Sequence, residues 1–356
     1  MKITKIEARA LSAASVTGNR RSVHAVVRVF TDQGLTGISR CMASLVPVVN
    51  DRLGPLLLGQ DPLNSDRLWA KMYATVSAYA QDAREIITGI GTLDIALWDI
   101  KGKALKAPLH RLLGGFRDEI PAYADGGMIL RGPKAQADWS AKYAEQGYRS
   151  VKYHVMGESP DEIVETARQV RKATGPDVRL MIDVHKLWEP WLAVETARRL
   201  EEHDVFWLEE PIVWDDQVGG MAFLAANTRI SVAAGESEIN IYACRDLCAR
   251  GGVKVLQTDM HSSGGYTAWL KMAAVAEAYH ARISPHGASY PEFTAPLIAA
   301  VPNGLVVSAF PAGETSELWS KMYRQPLDLR NGTIYLSDRP GLGLEFDEQF
   351  LKKHAA

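Results

Sequence analysis

The sequence predicts an α/β fold centred on a (β/α)8 barrel, and three observations carry that expectation. Eight short apolar runs recur from about residue 119. Helical patterns fill most of the gaps between them. Polar residues close the runs, and they keep nearly the same period as the runs themselves.

The elements can be taken in order. "MKITKIEARAL" alternates apolar and polar residues like an opening strand. "HAVVRVFTDQGLTGISR" reads as two extended runs joined by an Asp32-Gln33-Gly34 turn, a hairpin signal. Helical stretches follow at about 46–60, 63–80 and 83–106, and Pro108 with Gly114-Gly115 punctuates their end. The eight runs are "IPAYADGG", "SVKYHV", "RLMIDV", "VFWLEEP", "RISVAAGES", "VKVLQTDM", "RISPHG" and "LVVSAF". One residue from the middle of each of the last seven (151, 181, 207, 232, 256, 283 and 307) gives steps of 30, 26, 25, 24, 27 and 24. "SPDEIVETARQVRKATG" and "AVETARRLEEHD" are amphipathic helices between them. Strand and helix alternating at this pitch form parallel βαβ units, and eight such units close a barrel. A doubly wound open sheet is the alternative, but no Gly-rich phosphate loop follows the first strand to favour it. After about residue 325, "LDLRNGTIYLSDRPGLGLEF" reads as strand and loop that return to the N-terminal part.

Charge is nearly balanced, with 40 basic and 42 acidic residues in 356. That offers no electrostatic footprint for nucleic acid or an anionic membrane. The N-terminus lacks the long apolar core of a signal peptide, and no apolar run approaches the roughly 20 residues that span a bilayer. Cys41, Cys244 and Cys248 are too few, and odd in number, for a disulfide framework, which suits a reducing compartment. Cys244 and Cys248, four apart with no histidine nearby, read as helix packing rather than a zinc site. A soluble cytoplasmic protein is expected.

The C-terminal ends of barrel strands build the active face of such folds. Here the second strand ends Lys152-Tyr153-His154, the third Asp183-Val184-His185 and the fourth Glu209-Glu210-Pro211. The fifth ends Gly235-Glu236, the sixth at Asp259 and the seventh Pro285-His286. From Asp183 to Glu209, Glu236, Asp259 and His286 the steps are 26, 27, 23 and 27, so these groups can converge on one point. Bare carboxylates on adjacent strands in a low-dielectric mouth would protonate or need a cation. An all-oxygen set suits a hard ion, Mg²⁺ or Mn²⁺.

At this point the chain resembles the enolase superfamily, in its mandelate-racemase-like branch. "GIGTLDIALWDIKGKALKAPLHRLLGG" (89–115) is similar to that family's helix between cap and barrel. "WLEEP" and "GES" resemble its second and third metal-ligand signatures, and "DRPGLGLEF" its C-terminal return. The resemblance spans nearly the whole chain. It implies a modified barrel (119–322), an α+β capping domain (1–118) and a return segment (323–356) that packs on the cap. It also implies one Mg²⁺ per subunit on Asp183, Glu209 and Glu236, with Glu210 supporting them, and a homo-oligomer. Such sites pair the ion with Lys or His bases that remove a proton next to a carboxylate.

Asp259 and His286 match the family's Asp–His dyad, the Asp fixing the tautomer of the imidazole. The other arm departs from the usual Lys-x-Lys: Lys152 is kept and His154 replaces the second lysine, either as a base or as a hydrogen-bond donor to substrate. Tyr153, by alternation, faces outward and packs. His185, in an Asp-x-His, resembles the acid/base histidine of the galactonate-dehydratase-like group; the alternative is a histidine bonded to a neighbouring carboxylate. Racemases of this type carry a glutamate near the end of strand eight that binds the substrate carboxylate, where this chain has Ser308 and Ala309; Glu314, further into the loop, is the candidate to substitute as a substrate contact. The cap loop "SAASVTGNRRSVH" offers Arg20, Arg21 and His24 as substrate contacts, since Arg forks suit carboxylates and polyols. The expectation is a Mg²⁺-dependent dehydratase of an acid sugar, an aldonate or aldarate. A racemase or epimerase of 2-hydroxy acids is the alternative, and a non-catalytic ligand-binding barrel a weaker one.

Overall fold

A computed structural model describes residues 1–14, 21–126, 132–287, 290–311, 314 and 316–356. The alternating N-terminal segment forms β1 (Ile3–Ala14), which pairs antiparallel with β2 (Arg21–Thr31). β2 turns at Gly34 into β3 (Thr36–Met42), again antiparallel. The stretch read as helical at 46–60 runs through a π-helical turn, Val48–Leu53, into a short helix, Gly54–Leu57. Pro55 has no N–H to continue an i→i−4 ladder there. Helix α1 (Ser65–Tyr73) follows, then the long helix α2 (Ala83–Ala104).

Two buried carboxylates on α2 tie the cap to the rest of the chain. Asp99 accepts from the Ile38 N–H on β3, the Leu342 N–H of the C-terminal return and Lys103 Nζ. Asp94 accepts from the Thr267 N–H at 2.9 Å and the Thr267 hydroxyl at 2.7 Å. Those donors lie in the first turn of a barrel helix, α8 (Tyr266–Ala278), whose free N–H groups need acceptors. Gly91 lets α2 come this close: a Cβ there would sit 2.3 Å from the His261 carbonyl oxygen.

The barrel begins with β4 (Glu119–Asp125). It continues through β5 (Ser150–His154), β6 (Arg179–Asp183), β7 (Val205–Glu209), β8 (Ser231–Ala234), β9 (Val255–Leu256), β10 (Arg282–Ile283) and β11 (Val307–Ala309). Helices α3 (Pro133–Glu145), α4 (Pro160–Thr174), α5 (Pro190–Leu200), α6 (Gln217–Ala225), α7 (Ile241–Ala249), α8 and α9 (Pro291–Ala300) lie between the strands. β4 to β10 are parallel neighbours in chain order, and β11 pairs parallel with β4. A parallel bridge from Ile283 to Gly304, just before β11, closes the ring. The eight expected strands are therefore present as a barrel and not as an open sheet. A hairpin of β12 (Asp328–Arg330) and β13 (Thr333–Tyr335) runs antiparallel to the start of β4. The chain then returns to the cap, where Leu11 bridges Ala355.

Inside the barrel, Tyr123, Met181, Trp207, Ala233 and Val255 form a buried layer. Side chains two residues further along a strand face the same way. That places Asp125, Asp183 and Glu209 in the next layer up, at the mouth. Register fixes their level: Asp125 pairs with Lys152, His154 with Asp183, and Asp183 with Glu209. The sixth and seventh strands stop at Leu256 and Ile283, so Asp259 and His286 sit on the loops just beyond them. Among the described residues no helix is long and apolar enough to cross a membrane, and the three cysteines are free.

Candidate active site

Lys152 is the cationic centre of the mouth. Its buried Nζ lies 2.8 Å from Glu209 Oε1 and 3.6 Å from carboxylate oxygens of both Asp125 and Asp183. Burial opposes its charge, but Asp125, Glu209 and Asp183 hold its pKa well above the ordinary lysine value. Burial likewise pushes Asp183 upward, yet Lys152 and His154 reverse this and keep it well below the usual carboxylate range. Burial dominates at Glu209, which is held up despite the same lysine. Trp207 Nε1–H donates to its second oxygen at 3.1 Å.

The fifth-strand ligand candidate has its own cation. Lys186 Nζ is 2.6 Å from Glu236 Oε1 and 3.5 Å from Glu210 Oε2. Burial raises Glu236, but His286 and Lys186 pull it below its ordinary value. Glu210 Oε1 accepts from the Gly235 N–H at 2.8 Å and the Glu236 N–H at 3.2 Å, so it shapes the turn that presents Glu236. Burial lifts the Glu210 carboxyl to about 7. Glu210, His185 and Lys186 all adopt left-handed backbone, with φ of 43°, 54° and 60°. Non-glycine residues in that region are uncommon, and they cluster at functional sites.

His286 Nδ1 lies 3.1 Å from Asp259 Oδ2, and its Nε2 lies 3.3 Å from Glu236 Oε2. Burial would lower its pKa, but the Asp259 bond and the Glu236 charge raise it to about 9. Asp259 is drawn down to about 2 against its burial, by His286 above all, and it also accepts from the Ser262 N–H. His154 holds Asp125 Oδ1 at 2.6 Å through Nε2, and its Nδ1 is 3.0 Å from His185 Nε2 and 3.2 Å from Asp183 Oδ2. Burial is outweighed by Asp125, so His154 rises to about 9. His185 stacks on His154 with ring centroids 5.0 Å apart, and burial lowers its pKa.

Among the described residues, the one group of three metal-type ligands with all atoms within 4.8 Å is His154, Asp183 and His185, not the three carboxylates. Lys152 and Lys186 draw Glu209 and Glu236 each to its own cation. The donor chemistry nevertheless favours the oxygens. Both nitrogens of His154 are engaged, Nε2 by Asp125 and Nδ1 by His185 and Asp183, so neither is free for an ion. Each carboxylate oxygen offers two acceptor positions. Each oxygen of Glu209 and Glu236 meets one cation or N–H donor, which leaves a second acceptor position for a hard cation, while both Asp183 oxygens already face two donors or cations. The residues present thus fit Mg²⁺.

The peripheral candidates have partners of their own. Glu314 accepts from Trp139 Nε1–H at 2.8 Å and from the Tyr143 hydroxyl, both on α3. His24 Nε2 accepts from Trp319 Nε1–H at 2.8 Å, beside Arg40. Arg20 lies outside the described residues, and Arg21 opens β2. Tyr153 points outward, its hydroxyl donating to the Ile163 carbonyl on α4 at 3.1 Å. Sequence reasoning passed over Asp125 and Lys186. Asp125 closes "IPAYAD" 27 residues before Lys152, in step with the barrel repeat, and Lys186 directly follows the Asp-x-His.

A capped eight-stranded barrel whose mouth gathers acidic strand ends, lysines and an Asp–His pair defines an enolase-type chain. Comparison with known families agrees. Residues 3–114 match the mandelate racemase / muconate lactonizing enzyme N-terminal domain, and residues 134–350 match the enolase C-terminal domain-like family. The chain belongs to the enolase superfamily, in its mandelate racemase and muconate lactonizing enzyme branch. It is 30% identical to the D-galactarolactone cycloisomerase of Agrobacterium fabrum, over 99% of this chain and 98% of that one. It is 28% identical to the arabinonate dehydratase of Saccharolobus solfataricus, over 85% and 81%. Among solved structures, a mandelate racemase/muconate lactonizing enzyme from a marine actinobacterium, in complex with magnesium, superposes with a TM-score of 0.92. That protein is 32% identical, over 100% of this chain and 99% of the other.

Proposed function

We propose that the protein is a Mg²⁺-dependent dehydratase of an acid sugar, an aldonate or aldarate. The observation that carries this reading is the pair of imidazoles at one mouth. His185 and His286 have 30% and 40% of their side chains exposed, while Lys152 and the carboxylates around it are buried. Elimination of water needs a base for the proton next to the carboxylate and an acid for the leaving hydroxyl. A racemase also needs a base and an acid, but both act at the α-carbon, from opposite faces.

Asp183, Glu209 and Glu236 would hold the ion. Mg²⁺ at such a site supplies Lewis-acid stabilisation of the negative charge that develops when a carboxylate substrate is deprotonated next to its carboxyl group. Lys152 adds a fixed positive charge beside the same carboxylates, for a substrate oxygen that becomes an enediolate oxygen. One of His185 and His286 takes the α-proton, and the other returns a proton to the β-hydroxyl as the C–O bond breaks. Water leaves, and the enol tautomerises to a 2-keto-3-deoxy sugar acid. Asp259 keeps the His286 ring oriented throughout. Which ring does which step follows the configuration of the substrate. Glu210 keeps the Gly235–Glu236 turn in place.

One observation favours a second reading. A lactone cycloisomerase aligns over 99% of the chain at 30% identity, beside a D-gluconate dehydratase over 99% at 28%. A lactone in this mouth would lose its ring oxygen from the β-carbon in place of a hydroxyl, giving an isomer with no loss of water. A panel of aldonates, aldarates and their lactones, incubated with Mg²⁺ and followed by mass spectrometry and α-keto acid detection, separates the two. A keto acid lighter by one water supports the dehydratase. A product of unchanged mass from lactones alone supports the isomerase.

A further inference from the structure

His154 differs from the lysine usual at its place in one respect. A lysine carries its proton without help, whereas an imidazole must be told which nitrogen holds the hydrogen and which way the ring faces. The structure supplies that instruction from the first barrel strand. Asp125 Oδ1 lies 2.6 Å from His154 Nε2, and Asp125 Oδ2 accepts from the Ser308 hydroxyl at 2.6 Å. Asp125 and Ser308 are both buried, at 3% and 1% exposure, so water cannot replace either bond at little cost.

We propose that Asp125 is a positioning residue that acts through His154, the two forming a second Asp–His dyad, and that Ser308 fixes Asp125. This dyad spans β4 and β5. The three carboxylate-bearing strands, β6 to β8, separate it from Asp259–His286. With Nε2 committed to Asp125, His154 turns Nδ1 toward His185 Nε2, 3.0 Å away, and the two rings stack at 13°. His154 has 9% of its side chain exposed against 30% for His185. His185 is therefore the ring that reaches the open mouth, and Asp125–His154 is the backing that holds it. His154, at the end of the second strand's arm, works from behind its neighbour and does not contact the substrate. Ser308 explains the missing strand-eight glutamate: the carboxylate stands on strand one, and strand eight contributes only the hydroxyl that orients it.

The proposal rests on the dehydratase reading for its kinetic consequence but not for its structural one. In ¹⁵N-histidine-labelled protein without substrate, the His154 Nε2–H should give a downfield resonance protected from solvent exchange, assigned by its loss in His154→Gln. It should vanish in Asp125→Asn and broaden in Ser308→Ala, while Ser308→Thr keeps it. In turnover, Asp125→Asn should lower kcat roughly 100-fold or more while KM shifts less than about threefold. Ser308→Ala should give a smaller loss in kcat, and Ser308→Thr should restore it. Persistence of the Nε2–H signal in Asp125→Asn overturns the proposal, as does a change in KM and thermal stability with kcat untouched. If the wild-type chain turns over no acid sugar, the dehydratase reading falls, and the resonance alone decides the dyad.

Discussion

Glu210 Oε1 accepts hydrogen bonds from the backbone N–H groups of both Gly235 and Glu236, which makes one carboxylate the template for the turn that carries another. Removing the template should loosen the ligand it presents. Groups of this kind commonly change metal affinity roughly 10–100-fold. Glu210→Ala should weaken Mg²⁺ binding by that factor in isothermal titration calorimetry. Lys186→Met, which removes the cation between Glu210 and Glu236, should not weaken it, because an ammonium competes with the ion for Glu236.

Arg40, on the cap strand β3, is fully buried, and its Nη2 lies 3.0 Å from Glu292 Oε1 at the start of α9. It also sits over the Tyr290 ring, 4.4 Å from the centroid. Breaking a buried pair strands a charge, at about 3–5 kcal/mol. Arg40→Met should therefore lower unfolding stability by about that amount in urea titrations. Replacing both partners, in Arg40→Met/Glu292→Leu, should recover most of the loss.

His24 is held neutral, its pKa lowered to about 4 by burial and by Arg40. In the unfolded chain it titrates near its ordinary value, about 6.5. The folded state thus binds fewer protons than the unfolded state between the two values. The resulting stability is intact above about pH 6.5 and is lost as pH falls toward 4. Melting temperatures of wild type and His24→Gln should converge across that window as the pH is lowered, the wild type losing more.

The barrel was legible because its repeat is carried by local patterns: apolar runs at a near-constant pitch, each closed by a polar residue. The mouth residues from Asp183 to His286 inherited that legibility from their strands. Asp125 escaped because its meaning is relational. A lone aspartate before two glycines reads as a turn, and only its pairing with His154 and Ser308, 29 and 183 residues away, makes it part of the site. The partners of one cap residue and one barrel-loop residue were equally beyond reach. His24 and Glu314 read as lip residues, and their indole and phenol partners come from segments that no local pattern pairs with them.

The central claim is that His185 and His286 divide proton removal and leaving-group protonation between them. It is tested most directly in ²H₂O, with an acid sugar that the wild type converts, by following deuterium at the α-carbon of recovered substrate together with α-keto acid in His185→Asn and His286→Asn. Both variants should lose keto acid formation by roughly 100–10,000-fold. One should still exchange its α-proton, having kept the base and lost the acid, and the other should do neither. Keto acid formation at the wild-type rate in either variant would contradict the assignment.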